Sequence, residues 1–201
     1  MNREFWDRRY GESGFAYGTE PNAFLVSQCD RLPRSGRALA VADGEGRNGV
    51  WLAQQGLEVL SVDSSGVGLQ KARALAAERG VAITTEQADL FAWAWPGAAF
   101  DCVVSVFAHF PPAERPRMHR AMFDALKPGG LLLLEAFNPN QLQYQSGGPP
   151  VLEMLYAAVM LRGDFAGAEV LLLEECVTDL KEGPYHHGPG AVVRMVARRP
   201  A

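Results

Sequence analysis

The stretch Arg37-Ala38-Leu39-Ala40-Val41-Ala42-Asp43-Gly44-Glu45-Gly46-Arg47-Asn48-Gly49 decides how this chain folds. An apolar run over residues 37–42 reads as a strand, and residues 46–55 beyond the turn read as a helix. Glycines 44, 46 and 49 fit G-x-G-x-x-G between them, a spacing that lets bare backbone approach a ligand and lets helix pack closely on strand. Asp63 closes the next apolar run about twenty residues later, the interval at which a carboxylate meets ribose hydroxyls in dinucleotide sites. A glycine turn that only packs strand on helix is the alternative. The motif by itself does not separate a dinucleotide from another adenosine-bearing ligand.

The neighbouring sequence extends the pattern. Residues 57–62, 81–86, 100–107 and 131–137 read as strands. Residues 65–79 and 112–126 read as helices, closed by Gly80 and by Lys127-Pro128-Gly129-Gly130. The strands are apolar throughout, as expected where helices cover both faces. Such an alternation predicts a doubly wound parallel sheet. Residues 138–150 are polar and rich in Gly and Pro, hence a loop, and 152–162 read as a helix. Residues 169–180 and 191–198 read as strands joined by a Gly-, Pro- and His-rich connection with no helix, so they should pair antiparallel. The expected fold is α/β, with a mostly parallel seven-stranded sheet and an antiparallel C-terminal strand pair. Upstream, Thr19-Glu20-Pro21 reads as a helix start, Thr19 capping a helix to about Asp30. Residues 1–201 are expected to form a single domain, with 1–35 as an N-terminal lid and helix.

The chain has 201 residues, 48% apolar and 21% charged, which suits a soluble globular protein. Its formal charge of −4 offers nucleic acid no general attraction. Cys29, Cys102 and Cys176 show no C-x-x-C spacing, which argues against a disulfide framework or a zinc site and for the reducing cytoplasm. The start lacks a signal-like apolar run, and no stretch approaches the ~20 apolar residues of a membrane span. The partner expected is therefore a small molecule. Charge at the loop narrows the choice. Asp43 and Glu45 flank Gly44 and would repel a pyrophosphate. S-adenosylmethionine brings an ammonium and a sulfonium that suit acidic neighbours, and a carboxylate that suits Arg47.

On these residues the chain resembles the class I S-adenosylmethionine-dependent methyltransferases, and within them the small tellurite-resistance-type and thiopurine-type branch. The resemblance runs from Phe5-Trp6-Asp7-Arg8-Arg9-Tyr10 and Tyr17-Gly18-Thr19-Glu20-Pro21-Asn22 through Gly44-Glu45-Gly46-Arg47-Asn48, Val62-Asp63, Ala88-Asp89-Leu90 and Phe100-Asp101 to Lys127-Pro128-Gly129-Gly130 and the terminal hairpin. It implies S-adenosylmethionine as cofactor. Gly44 and Gly46 would admit the methionyl part, Asp63 the ribose hydroxyls, and Asp89 and the Leu90 N–H the adenine. Phe107 would line the pocket near the sulfonium, and Tyr17, Asp43, Arg47 and Ser64 complete the expected donor-binding set. Asp89 as a turn cap and Phe107 as plain core are the alternatives. The family pattern acid-x-Gly-x-Gly meets Ala40 and Ala42 here, a departure at the end of the first strand.

Methyl transfer mainly requires positioning and exclusion of water. A soft sulfur, selenium or tellurium acceptor needs no strong base, and no catalytic base is written in the sequence. Candidates on the acceptor side are Trp6, His109, His186 and His187, with His109 equally readable as a cap beside Pro111-Pro112. The His186-His187 pair lacks a third ligand at helical spacing, so no metal is expected. Competing readings are a small NAD(P)-dependent oxidoreductase, which calls for a parallel sixth strand, and a non-catalytic S-adenosylmethionine-binding sensor or scaffold.

Overall fold

Alternate residues of β1 (Arg37–Val41) are buried against opposite layers, and this explains the unbroken apolar run. Ala38 and Ala40 pack with Leu52, Val59, Cys102 and Val104 on one side of the sheet. Leu39 and Val41 pack with Val103, Leu132, Met118 and Met122 on the other. The computed structural model describes residues 2–201. The remaining strands are β2 (Glu58–Asp63), β3 (Thr84–Gln87), β4 (Phe100–Val106), β5 (Leu126–Phe137), β6 (Glu169–Lys181) and β7 (His187–Arg198), in the order β3-β2-β1-β4-β5-β7-β6. β1 to β5 are parallel, while β7 runs antiparallel to both β5 and β6. The expected α/β sheet and its antiparallel ending are thus observed. The parallel sixth strand that an oxidoreductase calls for is replaced by antiparallel β7.

The helices are α1 (Arg3–Tyr10), α2 (Ala23–Ser27), α3 (Arg47–Gln54), α4 (Gly66–Glu78), α5 (Arg115–Ala125) and α6 (Ala158–Asp164). Two sequence expectations shift. Thr19 does not cap the second helix. Asn22 does, its Oδ1 accepting from the Leu25 N–H at 2.9 Å, and the helix ends at Ser27 before a 3-10 turn. Asn22 is buried and tied to the core by its amide, so its position sets the start. Residues 152–162 are not one helix. A 3-10 turn (Leu152–Met154) is separated from α6 by extended residues. There Tyr156 is fully buried, donates its N–H to Phe137 O at 3.0 Å, and accepts at its hydroxyl from the Phe110 N–H at 2.5 Å. These contacts outweigh local helix propensity.

β3 is displaced to Thr84–Gln87, a short polar edge strand, and Val81 to Ile83 precede it. The β6–β7 connection is tighter than expected, because His187 to Gly190 already pair with residues 178–181. No helix among the described residues is long and apolar enough to cross a membrane.

Candidate functional site

Strand order reverses between β2-β1 and β4-β5, and in open α/β sheets ligands bind in the crevice at the carboxyl ends of the strands there. A cavity of about 1400 Å³ lies at that place. Residues just past β1, β2, β3, β4 and β5 border it, among them Asp43, Ser64, Ala88, Phe107 and Phe137 at the end of β5.

The loop after β1 needs left-handed backbone at Ala42 (φ 51°), Gly44 (φ 57°) and Gly46 (φ 88°). A Cβ on Gly44 would fall 2.5 Å from the Tyr10 hydroxyl oxygen, and one on Gly46 2.5 Å from the Ala72 Cβ. The two glycines therefore admit α1 and α4. Neither is among the residues bordering the cavity, whereas Asp43, Glu45 and Arg47 on either side of them are.

The acids around the loop are engaged by the protein itself. Asp43 accepts from the Ser61 hydroxyl at 2.7 Å and the Gly49 N–H at 3.2 Å, and burial pushes its pKa to about 7. A Cβ on Gly49 would touch both the Asp43 carboxylate and the Ala40 methyl, so Asp43 stands beside the small side chain at the family's acidic position. Asp63 accepts from the Gly44 N–H at 2.9 Å and the Ser65 N–H at 2.8 Å, and burial raises it to about 6 against the pull of those bonds. Glu45 accepts from the Ala16 N–H at 2.7 Å and the Lys71 ammonium at 2.9 Å. It anchors the N-terminal segment and borders the cavity, with one donor on each oxygen.

Arg47 begins α3 and borders the cavity. Its Nη2 donates to Glu182 Oε2 at 2.7 Å, while Nη1 is buried without a partner. Burial works to raise the Glu182 pKa, but facing His186 and Arg47 outweigh it and leave it at about 2. The Asn22 amide donates to both Glu182 (2.8 Å) and Glu135 (2.6 Å), and Glu135 accepts from Arg194 Nε at 2.5 Å. This buried chain of charges joins the β6–β7 turn to α2, α3 and the sheet. The sequence reading missed Asn22, Glu135 and Glu182, since nothing local pairs Glu182 with Arg47.

The walls are aromatic. Trp6 borders the cavity and stacks on Tyr10 at 5.5 Å. The α1 helix is held down by the Ser65 hydroxyl, which donates to Asp7 at 2.6 Å. Arg9 donates to the Tyr17 hydroxyl at 3.0 Å and lies 3.9 Å over the Tyr185 ring. Asp89 is exposed and forms a turn with the Phe91 N–H, yet also borders the cavity beside buried Leu90. Phe107 (φ 55°) stacks on Phe137 at 4.5 Å. His109 borders the cavity with both nitrogens bonded to backbone, Nδ1 at 2.7 Å from Met154 O and Nε2 at 3.2 Å from the Phe137 N–H, and burial lowers its pKa to about 4. It is a neutral strut and has no nitrogen to offer an acceptor. His186 is buried at the cavity wall, whereas His187 is exposed on β7 and does not reach the cavity. His186 lies in the bend between β6 and β7, whereas His187 opens β7.

Residues 38–130 match the family model described as a methyltransferase domain. Under half of the chain lies in that segment, which is similar to methyltransferase domains. Its fold is that of the class I methyltransferases, whose methyl donor is S-adenosylmethionine. A structure from echinomycin biosynthesis, tied to conversion of a disulfide bond into a thioacetal group, is 19% identical with a TM-score of 0.77 over 98% of this chain and 92% of that one. TehB from Haemophilus influenzae is 18% identical with a TM-score of 0.73, and the match covers 98% of this chain but 66% of that one. The magnesium protoporphyrin IX methyltransferase ChlM from Synechocystis, with bound SAH, is 16% identical with a TM-score of 0.70, covering 98% and 97%. At these identities the likeness is one of fold. No curated protein sequence matches the chain.

Proposed function

We propose that this chain transfers a methyl group from S-adenosylmethionine to a small-molecule acceptor in the same cavity. The observation that carries the reading is the unpartnered, buried Arg47 Nη1 at the cavity wall, a cationic donor that fits the carboxylate of the methyl donor. A charge-assisted hydrogen bond there contributes roughly 1.5–3 kcal/mol. Each Asp63 oxygen accepts one N–H and keeps a lone pair for a ribose hydroxyl. The second Asp89 oxygen and the Leu90 N–H suit the adenine edge. Tyr17 and Phe107 supply aromatic faces for the sulfonium, worth about 0.5–2 kcal/mol. The donor brings its own leaving group, so the protein's task is to position the acceptor and exclude water.

Phe5, Trp6, Phe91, Phe110, Pro149 and Met154 give the cavity an apolar lining beside the polar Gln87 and Asp89. That surface favours a compact, weakly polar acceptor, and a soft sulfur, selenium or tellurium nucleophile fits it. Residues 1–35 act as a lid: α1 lies against the glycine loop, and Tyr17 contacts the β6–β7 turn. Incubation with methyl-labelled S-adenosylmethionine and a panel of thiols, selenite, tellurite and small amines tests the reading. Label is expected in at least one acceptor. Donor binding with no transfer to any of them supports a binding-only role instead.

A further inference from the structure

Two histidines line the cavity, and they differ in what their nitrogens do. Both nitrogens of His109 are bonded to backbone. His186 Nδ1 is buried and faces Glu182 Oε2 at 3.5 Å, with no hydrogen bond closed in this arrangement. The Cδ2–Nε2 edge of the same ring lies against Gly147, where a Cβ would fall 3.1 Å from Nε2, and the residue borders the cavity. The ring is clamped by Tyr17 at 4.5 Å, Phe107 at 4.6 Å and Phe137 at 5.1 Å. Glu182 is in turn fixed by Arg47 and Asn22. A carboxylate behind one ring nitrogen selects the tautomer whose other nitrogen carries the lone pair. An orienting acid followed by an imidazole is the order of groups that positions a general base in nucleophilic sites.

We infer that His186, oriented by Glu182, is the general base that takes the proton from the methyl acceptor. This inference rests on the methyl-transfer reading above and deepens it. The acceptor atom, in an O–H or S–H group, forms a bond to the methyl carbon. The S–CH3 bond of the sulfonium breaks and its electron pair stays on sulfur, which becomes a neutral thioether. The acceptor's proton passes to His186 Nε2, and the imidazolium formed is balanced by ionised Glu182 until water removes the proton. Burial holds His186 below the usual imidazole range, so it is neutral and able to accept near pH 7. Glu182, Arg47 and Arg9 are the charged groups around it, and Tyr17 and His109 the other titratable neighbours. The device widens the acceptor class to nucleophiles that bind protonated, hydroxyls included. It also gives the short β6–β7 turn a task, because that turn carries both members of the pair.

The test is nitrogen NMR of the full chain with 15N-labelled histidine at pH 7.5, with and without S-adenosylhomocysteine. The expected spectrum has His186 neutral, Nδ1 protonated, Nε2 bare, and its shifts moved by the ligand. A protonated Nε2, or a doubly protonated ring in the complex, overturns the inference. If no histidine shift responds and calorimetry finds no binding of either sulfur nucleoside, it is the methyl-transfer reading that fails. In turnover, phenol and thiophenol make a matched pair, one binding protonated and one largely ionised. His186→Gln is expected to lower phenol methylation about 100-fold more than thiophenol methylation. An equal effect on both contradicts a role in proton removal and leaves only packing.

Discussion

Ala42 carries a methyl group through a left-handed turn, φ 51°, where the family pattern has glycine. A side chain in that region costs roughly 1 kcal/mol, and the neighbouring loop bonds hold it there. Ala42→Gly removes the strain but gives the unfolded chain more freedom. The balance favours the variant, by about 0.5 kcal/mol in urea unfolding; a loss of stability would show the strain to be absent. Arg47 offers a cleaner test of ligand contact. Arg47→Lys keeps a cation for Glu182 but loses the second nitrogen, so S-adenosylmethionine should bind about tenfold more weakly. Decarboxylated S-adenosylmethionine should show no such loss, and calorimetry with the two ligands reads the difference. Asp43 makes a pH prediction. Its pKa rises from 3.8 to about 7 on folding, so the folded chain keeps a proton that the unfolded chain releases. That contribution is full below about pH 4 and is lost as pH rises through 7. His109, lowered to about 4, works in the opposite sense over the same range. Comparison with Asp43→Asn isolates the acid: the variant should gain stability relative to the parent, by a few kcal/mol on the order-of-magnitude scale, between pH 4 and 7. At this scale the sequence showed which residues cluster but not how they are used. Asp43, Glu45 and Asp63 were legible as acids of the loop. That Ser61, Lys71 and backbone N–H groups already engage them depends on contacts between distant segments.

Elements were legible where period and capping agreed, and obscure where tertiary contacts ruled. The parallel strands β1, β2, β4 and β5 and the helix α4 follow from apolar runs and from Ser65, whose hydroxyl caps the helix by accepting from the Gly68 N–H. The break at Tyr156 was invisible, because its cause is a bond to Phe110 across the sheet end. The α1 helix was hidden for a similar reason. Its residues read only as aromatic and charged, yet Tyr10 is packed against Gly44 and Gly68, and Asp7 is tied to Ser65. If α1 and the segment to Gly18 form one wall of the donor site, removing residues 1–18 should weaken S-adenosylmethionine binding at least tenfold. Unchanged affinity and turnover in the truncated chain would remove the lid from the account. The β6–β7 turn is the other element that sequence undersold. Its His-rich composition drew attention to two histidines, and pairing in β7 leaves only His186 at the cavity.

For the whole molecule, the antiparallel β7 between β5 and β6 separates this fold from dinucleotide-binding sheets with a parallel sixth strand. The G-x-G-x-x-G loop alone does not make that distinction, and Lys71 offsets part of its acidic charge by pairing with Glu45. What remains is a switch-point cavity bordered by Arg47, whose Nη1 has no partner, and by His186, whose Nδ1 faces Glu182 without a closed hydrogen bond. The most direct measurement is calorimetry of the full chain with S-adenosylmethionine, S-adenosylhomocysteine and NADH in parallel. The account predicts one site per chain for each sulfur nucleoside and no heat of binding for NADH. Binding of NADH with no response to either sulfur nucleoside would contradict it.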